Sequence, residues 1–150
     1  MDENYENLHL ENQLCFPLYA VSRLTTKMYG PYLEELDITY PQYLVLLVLW
    51  QYKEQSVSNI GQKLLLESNT LTPLLKRLEQ KKLILRKRSV KDERTVLISL
   101  TKEGENLKQK AVCIPEKIIQ SFKTDTISLS EAIEFQKTLI KLMEGLKEKL

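Results

Sequence analysis

The 150-residue chain is predicted to be mainly α-helical, with one short β-hairpin past its middle. Three observations predict this. Apolar residues recur at helical spacing along most of the sequence, as in Leu71, Leu74, Leu75 and Leu78. Glycine and proline are scarce, at 4 and 5 residues, so little interrupts a helix. Two runs rich in branched residues, 83–88 and 96–100, flank a polar stretch without Pro or Gly, which reads as strand, extended loop and strand.

Residues 1 to about 7 are expected to fray, and the chain turns helical from Leu8. Leu10, Leu14, Leu18, Val21 and Leu24 follow helical spacing, with Cys15 beside them. A regular start near Asn12 puts Pro17 just past the first turn and Cys15 among free N–H groups at the positive dipole end, which favour a thiolate. Gly30 and Pro31 are expected to end this helix, and a short helical piece spans 32–36. Thr39 and Gln42 have capping-box spacing with Pro41 in the first turn, so a helix over 43–52 follows. It is apolar almost all round and must be central to the core. Val57, Ile60, Leu64 and Leu65 mark a shorter amphipathic helix over 56–66, and 67–69 form a tight turn. Ser68 or Asn69 can cap the next helix, with Pro73 near its first turn. After the hairpin, Thr101 is expected to cap a helix running to about Lys123. Ser128 and Glu131 form a second capping box ahead of a last helix carrying Leu129, Ala132, Ile133, Leu139, Ile140, Met143, Leu146 and Leu150.

Helix, tight turn, helix and hairpin, in that order, match a winged helix-turn-helix, whose second helix enters the DNA major groove while the wing reaches toward the minor groove. Charge supports the match. From Lys76 to Arg94 there are nine basic and three acidic residues, a local balance of +6 in a chain of net +2, which leaves −4 elsewhere. A polyanion would feel this segment, because neutralised phosphates release condensed counterions. A basic run alone is equally a solvated face; with the helix and hairpin it points to double-stranded DNA. The winged helix, over about 40–101, needs only about 70 residues to fold alone. The flanking helices, about 8–36 and 102–150, are therefore expected to pair with those of a second chain; closure of a monomeric core is the alternative. A homodimer would offer two reading helices to a pseudo-palindromic operator.

Composition narrows the remaining classes. Hydrophobic content of 43% and charged content of 28% are ordinary for a globular protein. The acidic start lacks the basic and apolar regions of a signal peptide, and no apolar run reaches membrane-spanning length, so a cytoplasmic protein is expected. Cys15 and Cys113 form no CxxC pair, and His9 is the single histidine and has no assigned role; neither a metal site nor a cofactor is expected. Each cysteine is either a buried apolar filler or a reactive thiol. No catalytic motif is recognisable, so an enzyme, such as a thiol peroxidase, is not expected.

The stretches QLCFPLYAVSR, ITYPQYLVLLVLW, NTLTPLLKRLEQKKLI and RKRSVKDERTVLISLT, with the KEG that follows, are colinear across nearly the whole chain. Together they resemble the MarR family of bacterial regulators, and within it the branch that senses organic hydroperoxides. The resemblance implies a dimeric repressor with Cys15 as oxidation sensor. It further implies that Tyr29 and Tyr40 hydrogen-bond the sensing thiolate of the partner subunit, with Tyr19 one turn from Cys15. Cys113 matches the region of the resolving thiol in two-cysteine members; in one-cysteine members a low-molecular-weight thiol caps the sulfenic acid instead, and Cys113 would be an inert buried thiol. Asp92 and Arg94 match the wing-tip pair in which a carboxylate orients an arginine placed in the minor groove. The expected DNA-facing set is Ser68, Asn69, Thr70, Thr72, Pro73, Lys76, Arg77, Arg86, Lys87, Arg88, Asp92 and Arg94. Pro17, two positions after the cysteine, and Glu67-Ser68-Asn69 depart from the family pattern, at the sensor and at the start of the reading helix. A regulator released by a small phenolic ligand, rather than by thiol oxidation, is the alternative.

Overall fold

The most apolar stretch of the sequence becomes the helix on which the fold is built. In the computed structural model, which describes residues 5–122 and 127–149, α2 (Tyr40–Tyr52) buries Gln42, Tyr43, Val45, Leu46, Val48, Leu49 and Trp50. Burial over most of its circumference is what its composition requires, although Leu47 stays exposed. Gln42 is the polar exception, and its side-chain oxygen accepts the Thr39 N–H at 3.0 Å, closing the expected capping box.

The chain forms two compact units, Met1–Ala111 and Val112–Leu150. In the first, Tyr5–Leu8 and Leu10–Asn12 are short 3-10 turns. The Asn12 side chain donates to the Glu6 carbonyl and the Gln13 side chain to those of Asn7 and His9. The fraying expected up to residue 7 therefore does not extend to residues 5–7, while residues 1–4 lie outside the described residues. The first long helix, α1 (Cys15–Glu34), begins three residues later than expected, which places Pro17 inside its first turn rather than after it. It also runs through Pro31, correcting the stop expected at Gly30-Pro31. A proline removes only its own bond, here to the Lys27 carbonyl, and the rest of a 20-residue ladder survives. The chain leaves the helix at Asp37, left-handed with φ 52°, and the Ile38 N–H returns to the Leu33 carbonyl at 3.0 Å.

Ser56 caps α3 (Val57–Leu64) by accepting the Asn59 N–H at 3.1 Å. The turn that follows has Leu65 in the left-handed region and bonds the Leu66 N–H to the Gly61 carbonyl at 2.9 Å. A Cβ on Gly61 would stand 2.8 Å from the Leu66 carbonyl oxygen, so this tight turn needs glycine there. The next helix, α4 (Ser68–Gln80), buries Leu71, Leu75 and Leu78. Its cap is Glu67 rather than Ser68 or Asn69, and it makes no side-chain cap bond. Pro73 therefore lies in the second turn rather than the first and leaves the Asn69 carbonyl without its helical partner.

The hairpin pairs β2 (Ile84–Arg88) with β3 (Val96–Leu100), antiparallel, from Ile84 opposite Leu100 to Arg88 opposite Val96. A third strand was not expected. β1 (Gln55–Ser56) pairs with β3, Gln55 opposite Ile98, giving the order β1-β3-β2. Two residues are too few for an alternating pattern to show. Their pairing makes β3 the central strand and buries Ile98.

Thr101 caps α5 (Lys102–Ala111), accepting the Gly104 N–H at 3.0 Å while its hydroxyl donates to the Lys82 carbonyl at 2.6 Å. The single helix expected from here to about Lys123 is broken at Val112–Cys113, and α6 (Ile114–Phe122) begins anew. Pro115 has no N–H with which to continue the ladder. In the second unit, the box of Ser128 and Glu131 caps α7 (Leu129–Lys147), with the Ser128 N–H on Glu131 Oε2 at 2.8 Å and the Glu131 N–H on Ser128 Oγ at 3.3 Å. No residue of α7 is buried, and Ile133, Phe135, Ile140, Leu142 and Leu146 lie exposed. Lys123 and Leu150 lie outside the described residues. Among the described residues, no helix is long and apolar enough to cross a membrane.

Candidate nucleic-acid interface and thiol site

The outward face of α4 follows from its inward one. With the leucines in the core, Ser68, Asn69, Thr70, Pro73, Lys76 and Arg77 are exposed and Thr72 is half-buried, as the sequence predicts. Donors, acceptors, an apolar ring and two cations thus share one helical surface.

The wing is shaped by two side chains. Ser89 Oγ accepts the N–H groups of Lys91 and Asp92 at 3.2 and 3.4 Å. Asp92 Oδ1 accepts the Arg94 backbone N–H, and Oδ2 the Thr95 hydroxyl, both at 3.0 Å. The hairpin closes with the Ser89 N–H on the Thr95 carbonyl at 2.8 Å. Asp92 was expected to hold the fork of the Arg94 guanidinium; it holds the backbone of Arg94 instead, and the Arg94 side chain makes no ion pair among the described residues. Sequence reasoning missed Ser89 and Thr95. Their signal was an Asx/ST-turn composition in a loop without glycine.

Arg86 and Lys81 belong to the structure more than to the open surface. Arg86 Nη1 lies 3.5 Å from Glu79 Oε2 of α4, and its Nε is buried without a partner. Lys81 Nζ lies 2.7 Å from Asp37 Oδ2 and also bonds the Asp37 carbonyl, tying the end of α4 to the end of α1. Lys87 and Arg88 are exposed, and Arg88 Nη1 donates to the Glu93 carbonyl at 3.3 Å.

Cys15 is the first residue of α1 and is exposed; no side chain caps that helix end. Cys113 is also exposed, and its carbonyl accepts the Lys117 N–H at 3.2 Å at the start of α6, so it sits at a helix break rather than within the helix that was expected. Tyr19 is exposed, with the Arg23 guanidinium 5.4 Å from its ring centroid. Tyr29 and Tyr40 meet at a tilt of 57°, 4.8 Å between centroids. Burial, then Tyr40 and Tyr43, push the Tyr29 phenol up to about 12, and burial pushes that of Tyr40 up as well. Both phenols stay protonated donors near neutral pH. Cys15 and Tyr29 stand 14 residues apart on one continuous helix, which at about 1.5 Å per residue is about 21 Å. They cannot meet within one chain.

Helix, turn, reading helix and a three-stranded wing define the chain as a winged helix-turn-helix protein. A family model for the transcriptional regulator SarA/Rot matches residues 27–111. The organic hydroperoxide resistance transcriptional regulator of Bacillus subtilis is 50% identical over 149 residues, 99% of each chain. Two solved forms of AbfR, a protein of Staphylococcus epidermidis, are also similar. The reduced form bound to DNA is 42% identical, with TM-score 0.77 over 95% of this chain and 96% of that one. The disulfide form is 43% identical, with TM-score 0.62 over 92% and 95%. The chain belongs to the MarR family of transcriptional regulators, in its organic-hydroperoxide-regulator branch.

Proposed function

We propose that the chain is a homodimeric repressor that binds a pseudo-palindromic operator and leaves it when Cys15 is oxidised by an organic hydroperoxide. The observation that carries the sensing half is the separation of Cys15 from Tyr29 along α1, with Tyr40 of α2 held against Tyr29, because it reserves the two protonated phenols for the thiolate of another chain. The DNA half rests on α4 and the wing. Asn69, Thr70, Thr72, Lys76 and Arg77 read base edges and phosphates in the major groove, with Ser68 at the helix start and the Pro73 ring beside them. The Ser89–Asp92 turn presents Arg94 to the minor groove, whose narrow, electronegative form suits it. Lys87 and Arg88 add backbone charge, whereas Arg86 braces the wing against α4.

A sulfur lone pair of the Cys15 thiolate attacks the terminal peroxide oxygen and the O–O bond breaks. The departing alkoxide takes a proton and leaves as the alcohol, and sulfur becomes sulfenic acid. A second thiol, Cys113 of the partner subunit or a low-molecular-weight thiol, then forms the S–S bond and releases water. Either product displaces the tyrosines that faced the thiolate and turns the two reading helices out of register with half-sites about one DNA turn apart.

A mobility-shift assay on DNA upstream of its own gene, with and without organic hydroperoxide, tests this. Wild type is released by oxidant and Cys15→Ser stays bound. Cys113→Ser loses the dimer-sized band on a non-reducing gel. Peroxide release of Cys15→Ser would overturn the sensor assignment and favour a small-molecule effector.

A further inference from the structure

We propose that Tyr43 and Trp50 are positioning residues that carry the state of the Tyr29/Tyr40 pair to the root of the wing. The proposal rests on the reading above, in which that pair faces the sensing sulfur of a partner subunit.

The connection is continuous through packed groups. Tyr40, Tyr43 and Trp50 lie at i, i+3 and i+10 of α2, on one side of the helix and about 15 Å from end to end at about 1.5 Å per residue. Tyr43 is 2% exposed, with its ring centroid 5.9 Å from that of Tyr29 and 6.3 Å from that of Tyr40. Its other side meets Trp50 edge-on at 6.3 Å. Trp50, 6% exposed, spends its one polar atom on the fold: Nε1 donates to the Gly104 carbonyl at 2.9 Å.

Gly104 is where the wing is rooted. A Cβ built on it would stand 2.0 Å from the Leu83 carbonyl oxygen, just before β2, and 3.1 Å from Leu100 Cδ2 at the end of β3. The backbone of α5 is therefore pressed against both strands where they leave the core. Thr101 locks the same place, with its N–H on the Leu83 carbonyl at 3.1 Å and its hydroxyl on the Lys82 carbonyl at 2.6 Å. A shift of Tyr29 or Tyr40 is passed to the Tyr43 ring, because Tyr43 is buried in tilted contact with both. Tyr43 moves the indole edge, and the indole is bonded to the residue that sets the wing's angle. Wing and tyrosine pair thus share an element that both can bias, which is what energetic coupling between two sites requires.

Trp50 is the one tryptophan of the chain, so its emission reports this link directly. Oxidising wild type with organic hydroperoxide is expected to shift the emission of Trp50 in step with DNA release, and Cys15→Ser is expected to show neither. Tyr43→Leu is expected to oxidise at Cys15 normally, counted as thiols lost, yet to show a ratio of reduced to oxidised DNA affinity smaller by about tenfold. Trp50→Phe, which keeps a ring and loses the bond to Gly104, is expected to do the same, and Tyr43→Phe to behave as wild type. The proposal is overturned if wild-type emission stays unchanged while DNA is released, a result that needs no variant to fold. A full affinity ratio in Tyr43→Leu overturns it equally. By contrast, a Cys15→Ser protein that still responds to peroxide removes the sensor reading itself.

Discussion

The winged helix is finished within one chain, whereas the ends of the chain are not. Around the wing, Ser89, Asp92 and Thr95 satisfy one another, Thr101 and Gly104 fix the root, and Leu71, Leu75, Leu78, Ile84 and Ile98 are all buried. The start of α1 leaves its cap residue Leu14 90% exposed and Tyr19 60% exposed, and no residue of α7 is fully buried. One region holds its shape by itself. The other leaves Leu14, Leu24, Ile133, Ile140 and Leu146 exposed, apolar side chains that pairing with another chain would cover. A regulator divided in this way can alter its subunit pairing without remaking its reader.

Six experiments test that contrast, the first having the largest effect. Gly104→Ala is expected to destabilise the protein by about 3 kcal/mol, since the added methyl overlaps a backbone oxygen that cannot yield. Thermal unfolding measures it, and an unchanged midpoint would show the wing root to be looser than described. Ile140→Asp on α7 is expected to weaken self-association by more than about tenfold, through an unpaired charge at an apolar contact, while the thermal midpoint of the winged helix moves little. Sedimentation at micromolar concentration decides it, and a monomeric wild type would end the contrast altogether.

The wing separates three smaller effects. Arg94→Ala is expected to lower DNA affinity about tenfold and the salt slope by about one. Asp92→Ala should lower affinity by only about threefold, leaving the slope unchanged, because it removes two bonds that shape the turn and no cation. Lys87→Ala should act mainly on the slope. Last, an alkaline absorbance titration should find a tyrosine with a midpoint near 12 in wild type; Tyr29→Phe should lose that step and keep the smaller upward shifts of Tyr40 and Tyr43. The folded state keeps a proton that the unfolded state releases, so the contribution of Tyr29 to stability is whole below pH 10 and is lost between about 10 and 12.

Local chemistry was legible in the sequence, and geometry between elements was not. Both capping boxes, the apolar helix α2 and the paired strands were readable because their signals lie within a few residues. Gly30-Pro31 misled because a proline's effect depends on how much helix surrounds it, which no short window shows. The break at Val112–Cys113 had its sign in Pro115, read as part of a long helix. At the site, the residues facing outward from α4 were all readable from the leucine stripe. The partner of Asp92 was not, since a carboxylate near an arginine does not say whether it meets a guanidinium or a backbone N–H. Tyr43 and Trp50 were read as core and nothing more, although their spacing with Tyr40 was already visible.

The pairing of Lys81 with Asp37 and of Arg86 with Glu79 bears on how the protein searches a genome. Cations that lie free on a DNA-binding face grip every sequence alike and slow departure from the wrong ones. Holding two of the segment's nine cations on its own carboxylates lightens that indiscriminate hold. On the proposed interface, residence on a site then depends more on Arg94 and the polar face of α4.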